Sequence, residues 1–391
     1  MPSQEDYHLL YSFGIVSAYD HLLNAGIMND VMEEFKLSPA KLKKVITDTV
    51  AMAKEVKLQY VTDADEGYRR IKKGRGFQYV FRNKPLKDKE ELKRIHSLVI
   101  PPAWKDVWIC KLPNGHLQAT GKDALQRKQY KYHSLWNKHR NHTKFHKMVL
   151  FGTMLPKIRK QVRRDLNLPR LVKEKVLALV LTLMDKTSIR VGNGSYEKLY
   201  GSFGLTTLKD KHAKIKKERI EFHFRGKKSV THTVSLQNKK LAKLVKKCRD
   251  IPGKELFQYF DEEGKRHAVD SGMLNDYIHK IAGTDFTSKD FRTWAATTRM
   301  FYNLLLCKDC KDAQQRKKNL IESIGDVSRQ LGNTPSVCKK YYIHPALINL
   351  YENNLLNQEL QKMRNRKSGA NPHLSSEEKL LLKLLIELHR K

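Results

Sequence analysis

The period of the hydrophobic pattern changes along this chain, and this change constrains the fold more than any other feature. Between residue 58 and about residue 136, apolar and polar residues alternate in short runs, such as FQYVF at 77–81. Alternation at period two is typical of strands with one buried face. Beyond residue 145 the spacing is mostly helical, and residues 176–184 are almost all apolar. The pattern predicts an α+β protein in which a small antiparallel β-rich N-domain precedes a larger, mostly helical domain.

Composition and local signals divide the chain into five segments. Residues 7–23 and a second stretch that ends near Lys54 have the spacing of helices. A β-hairpin interrupts the helical domain, with strands at 219–224 and 230–234. A last amphipathic helix begins near Ser375. The predicted segments are an N-terminal helical extension at 1–57, the β-rich domain at 58–136, a basic connector at 137–144, the helical domain at 145–362, and a linker with the last helix at 363–391.

Several aromatic residues are expected to be structural. The buried face of the hairpin should consist of the alternating residues Ile220, Phe222 and Phe224. The N-terminal tryptophans are interpreted as packing residues rather than base-stacking residues: Trp104, Trp108 and Trp136.

The chain has a large excess of positive charge, with 76 Lys and Arg against 41 Asp and Glu in 391 residues, which gives a formal net charge of +35. A charge of this size indicates a polyanionic partner such as DNA, RNA or an anionic membrane surface. Hydrophobic residues make up 40% of the chain, which is enough to form real cores and argues against a disordered basic tail. The sequence shows no apolar run of the roughly 18 residues that a membrane span needs, and no signal-peptide pattern at its N-terminus.

Cofactor motifs are missing from the sequence. It contains no G-x-x-x-x-G-K-[ST] phosphate loop and no acidic run that suggests a two-metal site. The five cysteines are odd in number and scattered, which favours a reducing compartment. The pair Cys307-x-x-Cys310 has no second pair to complete a zinc site. We therefore expect no cofactor and no metal, and chemistry on nucleic acid that uses neither.

Four short stretches combine cationic side chains with a tyrosine. They are TSIRVGN at 187–193, RGK at the hairpin tip 225–227, SKDFRTW at 288–294, and LGNTP at 331–335 followed by KKYYIHP at 339–345. Taken alone, each has an ordinary explanation as a surface cation, a turn residue, a helix-start ion pair or a half-buried aromatic. In this order and spacing they resemble the type IB DNA topoisomerases, in particular the small branch of poxviruses and bacteria. The signatures IPPAW at 100–104 and QRKQYKY at 126–132 extend the resemblance from about residue 58 to about residue 360.

The resemblance implies a tyrosine transesterase. Tyr342 aligns with the nucleophile that attacks a DNA phosphodiester and forms a 3′-phosphotyrosyl link. Arg190 and Arg292 align with the two arginines on the scissile phosphate. Lys227 aligns with the general acid that protonates the departing 5′ oxygen. Asn333 falls where poxvirus enzymes have a histidine and the bacterial branch has an asparagine, which donates a hydrogen bond without adding charge.

The resemblance also implies contacts with duplex DNA, which the two domains would surround as a C-shaped clamp that opens at the connector. The implied DNA-contacting residues are Arg127, Lys128, Gln129, Tyr130, Tyr132 and Tyr196. It further implies relaxation of supercoils without ATP or an obligatory metal ion. The expected protein is a monomer in a bacterial-like cytoplasm, at the nucleoid, with no membrane or nucleotide partner.

Two other functions stay open at the level of sequence. A tyrosine recombinase uses a similar set of arginines, lysine and tyrosine, although the β-rich N-domain and the LGNTP stretch follow the topoisomerase pattern. A non-catalytic, basic DNA-compacting protein would explain the net charge. It would leave unexplained the ordered set Arg190, Lys227, Arg292 and Tyr342.

Overall fold

The computed structural model describes residues 49–388, apart from residues 125, 127, 284–285, 308–309, 311 and 364–371. The predicted helix over 7–23 and the beginning of the second N-terminal helix lie outside the described residues. The end of that second helix is confirmed as α1, Thr49–Glu55. The chain forms two compact units, and the division falls between Lys147 and Met148. None of the described helices is both long enough and apolar enough to cross a bilayer.

The first unit is built on antiparallel strands. Its elements are β1 Gly67–Lys73, β2 Gly76–Phe81, β3 Lys84–Pro85, α2 Lys89–Ser97, β4 Lys105–Cys110, β5 Leu117–Lys122 and β6 Lys128–Tyr132. The strands form one six-stranded sheet in the order β3-β2-β1-β4-β5-β6, and all neighbours are antiparallel. The alternating run at 77–81 is confirmed as β2, and the runs at 108–111 and 115–119 lie largely in β4 and β5. A further short alternating run, QYV at 59–61, forms only an isolated bridge at Gln59.

Both faces of this sheet are partly buried. Tyr68 on β1 lies opposite Ile109 on β4, which lies opposite Ala119 on β5, so the three residues share one face. The helix α2 covers that face through Ile95, which is buried in the same cluster. A second cluster on the other face contains Val61, Trp108, Cys110 and Leu117. The period of two therefore distributes neighbouring residues of β4 between two cores.

The IPPAW signature at 100–104 is a loop that Arg70 holds in place. The Arg70 guanidinium donates to the carbonyl oxygens of Ile100, Pro101 and Trp104 at 3.2, 3.0 and 2.6 Å. Trp104 packs partly buried against the first core cluster. Trp136 is buried, and Trp108 lies in the second cluster, so the packing role predicted for the three tryptophans is confirmed.

The predicted connector at 137–144 has helical backbone. It lies inside α3, which runs from Ser134 to Asp165. The sequence indicated a connector here from its run of basic residues. The structure continues one helix through them, directly before the division between the two units at Lys147 and Met148.

The second unit is mostly helical. Its helices are α4 Lys173–Thr187, α5 Gly194–Tyr200, α6 Lys239–Arg249, α7 Ser271–Ala282, α8 Ser288–Leu306, α9 Ala313–Leu331, α10 Pro335–Tyr341, α11 Pro345–Glu352, α12 Leu356–Met363 and α13 Ser376–Leu388. Its strands are β7 Ala213–Lys216, β8 Arg219–Arg225, β9 Thr231–Gln237, β10 Gln258–Phe260 and β11 Arg266–Ala268. The apolar stretch at 176–184 is confirmed as the buried part of α4. The helices α7, α8 and α6 pack around it.

The predicted hairpin is confirmed as β8 and β9, with the predicted buried face of Ile220, Phe222 and Phe224. The expectation of a single hairpin is wrong, because β7 adds a third strand and β10 pairs with β11. These additional strands have only three or four residues each. A segment of that length is too short to display a period in the sequence.

The last helix, α13, is fixed to the second unit by one carboxylate. Glu378 accepts hydrogen bonds from Arg159 on α3 at 2.7 and 2.9 Å, and from the Trp294 indole on α8 at 2.9 Å. It also accepts from the backbone N–H of Ser375 at 2.9 Å, while the Ser375 hydroxyl accepts from the N–H of Glu378. This is a reciprocal capping box. Burial by itself raises the pKa of Glu378, but the bonds from Arg159 outweigh it and leave that pKa below its ordinary value.

We predict that Glu378→Ala lowers the free energy of unfolding by about 3 kcal/mol, because it removes one partner of a buried ion pair and leaves the Trp294 N–H unpaired. Urea denaturation at pH 7 measures the change. The matched control is Glu218→Ala, which removes the exposed pair between Lys239 and Glu218 at 3.4 Å. That change should cost less than about 1 kcal/mol. Equal effects of the two substitutions would contradict the prediction.

The same network predicts a pH dependence. The pKa of Glu378 is lowered in the folded state, so its contribution to stability is complete above the unfolded-state pKa. That contribution is lost as the pH falls through the folded-state value. The stability difference between the parent protein and Glu378→Ala should therefore shrink in acid, and a constant difference would contradict this assignment.

Candidate active site

Arg190 lies in the loop that follows α4. The helix ends at Thr187, and Ser188 adopts a left-handed conformation with φ of 56° that turns the chain out of the helix. The loop is held to a neighbouring segment, because the carbonyl of Arg190 accepts from the N–H of Leu205 at 2.8 Å. The Arg190 guanidinium reaches the connection between α9 and α10. There it donates to the carbonyl of Gly332 at 3.2 Å and to the side-chain oxygen of Asn333.

Arg292 lies in the second turn of α8 and is only 5% exposed. The start of α8 is fixed by a capping box between Thr287 and Asp290. The Arg292 guanidinium donates to the carbonyl of Ser188 and, at 2.9 Å, to the carbonyl of Leu331. It therefore joins α8 to the ends of two other helices, α4 and α9.

Asn333 follows the left-handed cap of α9 at Gly332, whose φ is 59°. Its side-chain oxygen accepts from Arg190. Its amide nitrogen is buried and has no hydrogen-bond partner among the described residues apart from a weak interaction with the Cys338 thiol. Buried polar groups are normally satisfied, so this N–H group points to a ligand that accepts a hydrogen bond.

Tyr342 directly follows α10 and is the C-terminal cap of that helix. Its backbone N–H donates to the carbonyl of Cys338 at 3.0 Å, and its carbonyl accepts from the Thr297 hydroxyl at 3.0 Å. Thr297 lies on α8, which also contains Arg292. The Arg292 guanidinium carbon lies 5.6 Å from the centre of the Tyr342 ring. The adjacent Tyr341 is 42% exposed.

The structure thus brings together four of the five predicted catalytic residues: Arg190, Arg292, Asn333 and Tyr342. Burial, followed by the charge of Arg190, lowers the pKa of Arg292 to about 10. Burial also lowers the pKa of Arg190. Both guanidinium groups nevertheless stay protonated at neutral pH. Among the described residues both donate to carbonyl or amide oxygens, Arg292 also bonds to the Tyr342 side chain, and neither forms an ion pair with a carboxylate.

Lys227, the fifth predicted residue, lies at the exposed tip between β8 and β9. The tip is closed by the N–H of Gly226, which donates to the carbonyl of Val230 at 2.7 Å. It is attached to a neighbouring loop where the N–H of Phe203 donates to the carbonyl of Arg225 at 2.8 Å. Lys227 is therefore on a separate element from the other four residues.

The residues predicted to contact DNA occupy two places. On β6, Lys128 forms an ion pair with Asp63 at 2.6 Å, and the Gln129 amide donates to Asp123 at 2.8 Å. Tyr130 is 49% exposed and stacks on Tyr132, with ring centres 5.9 Å apart. In the second unit, Tyr196 is exposed on α5. Arg127 lies outside the described residues.

Sequence reasoning missed one residue beside this cluster, His232 on β9. Burial, followed by the charges of Arg190 and Arg292, lowers the pKa of His232. The single histidine in an alternating strand gave no signal in the sequence, because its neighbours come from distant segments.

The paired thiols Cys307 and Cys310 lie beyond the end of α8 rather than within a helix. Within the part of the chain that the structure describes, no cluster of histidine, cysteine or acidic side chains could hold a metal ion.

Comparison with known proteins agrees with this arrangement. The family model for the catalytic core of eukaryotic DNA topoisomerase I matches residues 133–368. The family model for the N-terminal domain of bacterial DNA topoisomerase IB matches residues 76–123.

Named relatives cover most of the chain. A DNA topoisomerase 1B of Acanthamoeba polyphaga mimivirus is 34% identical over 297 residues, which are 74% of this chain and 88% of that protein. The DNA topoisomerase I of Monkeypox virus is 25% identical over 59% of this chain and 71% of its own length. The DNA topoisomerase 1 of rabbit fibroma virus is 27% identical over 57% of this chain and 68% of its own length. From the first family match and the mimivirus relative together, this chain belongs to the type IB DNA topoisomerase family.

Proposed function

We propose that this chain relaxes supercoiled duplex DNA by cleaving one strand, letting it rotate, and resealing it. The observation that carries the proposal is the pair of guanidinium groups of Arg292, which is buried, and Arg190, which is half-buried; they converge near Tyr342 without a carboxylate partner. A buried charge is costly unless a counter-charge and hydrogen bonds compensate it. A phosphodiester supplies both, and its two free oxygens match the fork of a guanidinium.

Tyr342 is the proposed nucleophile. The positive charges of Arg190 and Arg292 stabilise the negative charge that develops on the attacking oxygen and on the phosphate in the five-coordinate transition state. The N–H of Asn333 is available to a non-bridging phosphate oxygen.

The proposed step forms one bond and breaks one bond. The Tyr342 phenolate oxygen, whose proton has passed to water, attacks phosphorus, the bond between phosphorus and the 5′ oxygen breaks, and Lys227 gives a proton to the departing 5′ oxygen. The product is a 3′-phosphotyrosyl ester with a free 5′ hydroxyl. Resealing is the reverse reaction, in which the neutral Lys227 accepts the proton and the phenolate leaves.

This chemistry needs no ATP, because the covalent ester conserves the energy of the phosphodiester that was broken. It also assigns no obligatory role to a metal ion, because guanidinium groups provide the positive charge. The names of the relatives, DNA topoisomerase 1B and DNA topoisomerase I, support the proposal. Neither a recombinase nor a DNA-compacting protein gains support from those names.

The first prediction from the proposed function concerns the nucleophile. Tyr342→Phe should abolish plasmid relaxation and the SDS-stable DNA adduct, because it removes only the attacking oxygen. Duplex binding should stay within a few-fold of the parent protein in a gel-shift titration. The control is Tyr341→Phe, which should retain both activities. If Tyr342→Phe still forms the adduct and Tyr341→Phe does not, the nucleophile is Tyr341.

The second prediction concerns cofactors. The purified protein should relax a plasmid to completion in EDTA with no nucleotide present. End-labelled DNA trapped with SDS should carry the protein on its 3′ phosphate. An absolute requirement for a divalent metal or ATP, or protein on the 5′ end, would refute the proposed chemistry.

The third prediction concerns the general acid. Lys227→Ala should slow single-turnover cleavage by roughly 10²- to 10⁴-fold. A substrate with a 5′-bridging sulfur should restore most of this loss, because a thiolate leaves without protonation. The matched control is the adjacent Lys228→Ala, which should cleave both substrates at the parent rate. Equal defects of Lys227→Ala on the two substrates would argue that Lys227 does not donate the proton.

A further inference from the structure

His232 packs on the hairpin that contains Lys227. It lies on β9 opposite Phe224 of β8, and the two rings are stacked with their centres 5.2 Å apart and their planes at 14°. The imidazole is half-buried. The reaction described above assigns it no role.

The His232 ring lies against two glycines from separate parts of the chain. A Cβ atom on Gly226 would lie 2.6 Å from Cδ2 of the ring, and one on Gly332 would lie closer still to Cε1. Such distances are too short for any side chain, so the ring is in direct contact with both backbones. Gly226 is adjacent to Lys227, and Gly332 is adjacent to Asn333. One imidazole thus fills the space between the hairpin tip and the connection that binds Arg190.

The charge state of the ring suits this packing role. Burial, and then the neighbouring Arg190 and Arg292, lower the pKa of His232. The ring is therefore neutral at pH 7. A neutral ring can pack near the two guanidinium groups without adding a third cation, and it leaves their charge for the phosphate.

The position of Lys227 depends on the hairpin tip that carries it. It lies on an exposed tip, and a lysine has a flexible four-carbon stem. The bond from Arg225 to the Ser229 hydroxyl at 2.5 Å fixes the shape of the tip, and the bond from the Phe203 N–H to the Arg225 carbonyl attaches its first strand to a neighbouring loop. The His232 ring adds the contact with Gly332. Displacement of a catalytic group by about 1 Å can lower a rate by roughly 100-fold.

We propose that His232 is a positioning residue: its ring holds the hairpin tip against Gly332, beside Arg190 and Asn333, and thereby places the Lys227 ammonium at the departing 5′ oxygen. This inference rests on the proposed function, because it assumes that Lys227 is the general acid. The ring contacts the backbones of the two loops. It acts on the reaction through Lys227.

The test compares two leaving groups under single-turnover conditions with saturating protein. His232→Ala should slow cleavage of an ordinary duplex by roughly 10- to 100-fold and cleave a 5′-bridging phosphorothiolate duplex at nearly the parent rate. The double variant His232→Ala/Lys227→Ala should be no slower than Lys227→Ala, because both changes remove the same step. DNA binding should be unchanged.

The matched control is His223→Ala on the same hairpin. His223 is exposed and bonds to the Thr233 hydroxyl at 2.9 Å, so its removal should leave both cleavage rates unchanged. His232→Gln keeps part of the bulk of the ring and should give an intermediate rate on the ordinary duplex. If His232→Ala does not fold in a thermal melt, His232→Gln undergoes the same comparison of leaving groups.

The outcomes separate this inference from the proposed function. An equal loss on both substrates, or no loss on either, would overturn the positioning role. If the parent protein cleaves neither duplex, or if sulfur does not rescue Lys227→Ala, the proposed function or the role of Lys227 fails first. Rescue of Lys227→Ala without rescue of the impaired His232 variant would refute only the role of His232.

Discussion

The site depends on helix ends that hold cations without neutralising them. Arg292 donates to the carbonyls of Ser188 and Leu331, at the ends of α4 and α9, and Arg190 donates to the carbonyl of Gly332, which caps α9. The last carbonyls of a helix have no partner within it and have partial negative charge. Because their charge is only partial, these carbonyl groups stabilise a guanidinium group less than a carboxylate group would. The fold can therefore keep two arginines in place and still leave their positive charge available to an anion.

The helix α8 sets the distance between Tyr342 and Arg292. It contains both Arg292 and Thr297, and the Thr297 hydroxyl donates to the carbonyl of Tyr342 while accepting from the N–H of His344. Thr297 is completely buried. The turn after α10 is thereby attached to the same rigid helix as the arginine. This arrangement explains why Tyr342, rather than the exposed Tyr341, lies beside the guanidinium group.

Much of this arrangement was predictable from the sequence, but for two different reasons. The period-two alternation of apolar and polar residues was enough to predict the β8–β9 hairpin and its buried face at Phe222, because each strand has seven residues. The convergence of Arg190, Arg292 and Tyr342 was predicted from resemblance to a family, since no local pattern joins residues that are 50 to 152 positions apart. The contact of His232 with two glycines could not be predicted. It depends on how closely two backbones approach one side chain, and a linear pattern does not encode that distance.

Asparagine at position 333 is consistent with the rest of the site. The resemblance places a histidine here in poxvirus enzymes, and a protonated histidine has only donors. It could not accept the hydrogen bond that Arg190 gives to the Asn333 oxygen. Asparagine accepts that bond with one atom and keeps an N–H donor on the other. In the proposed reaction, the positive charge at the phosphate comes from the two arginines, while Asn333 contributes orientation. The neutral His232 beside them adds to the packing and leaves that charge unaltered.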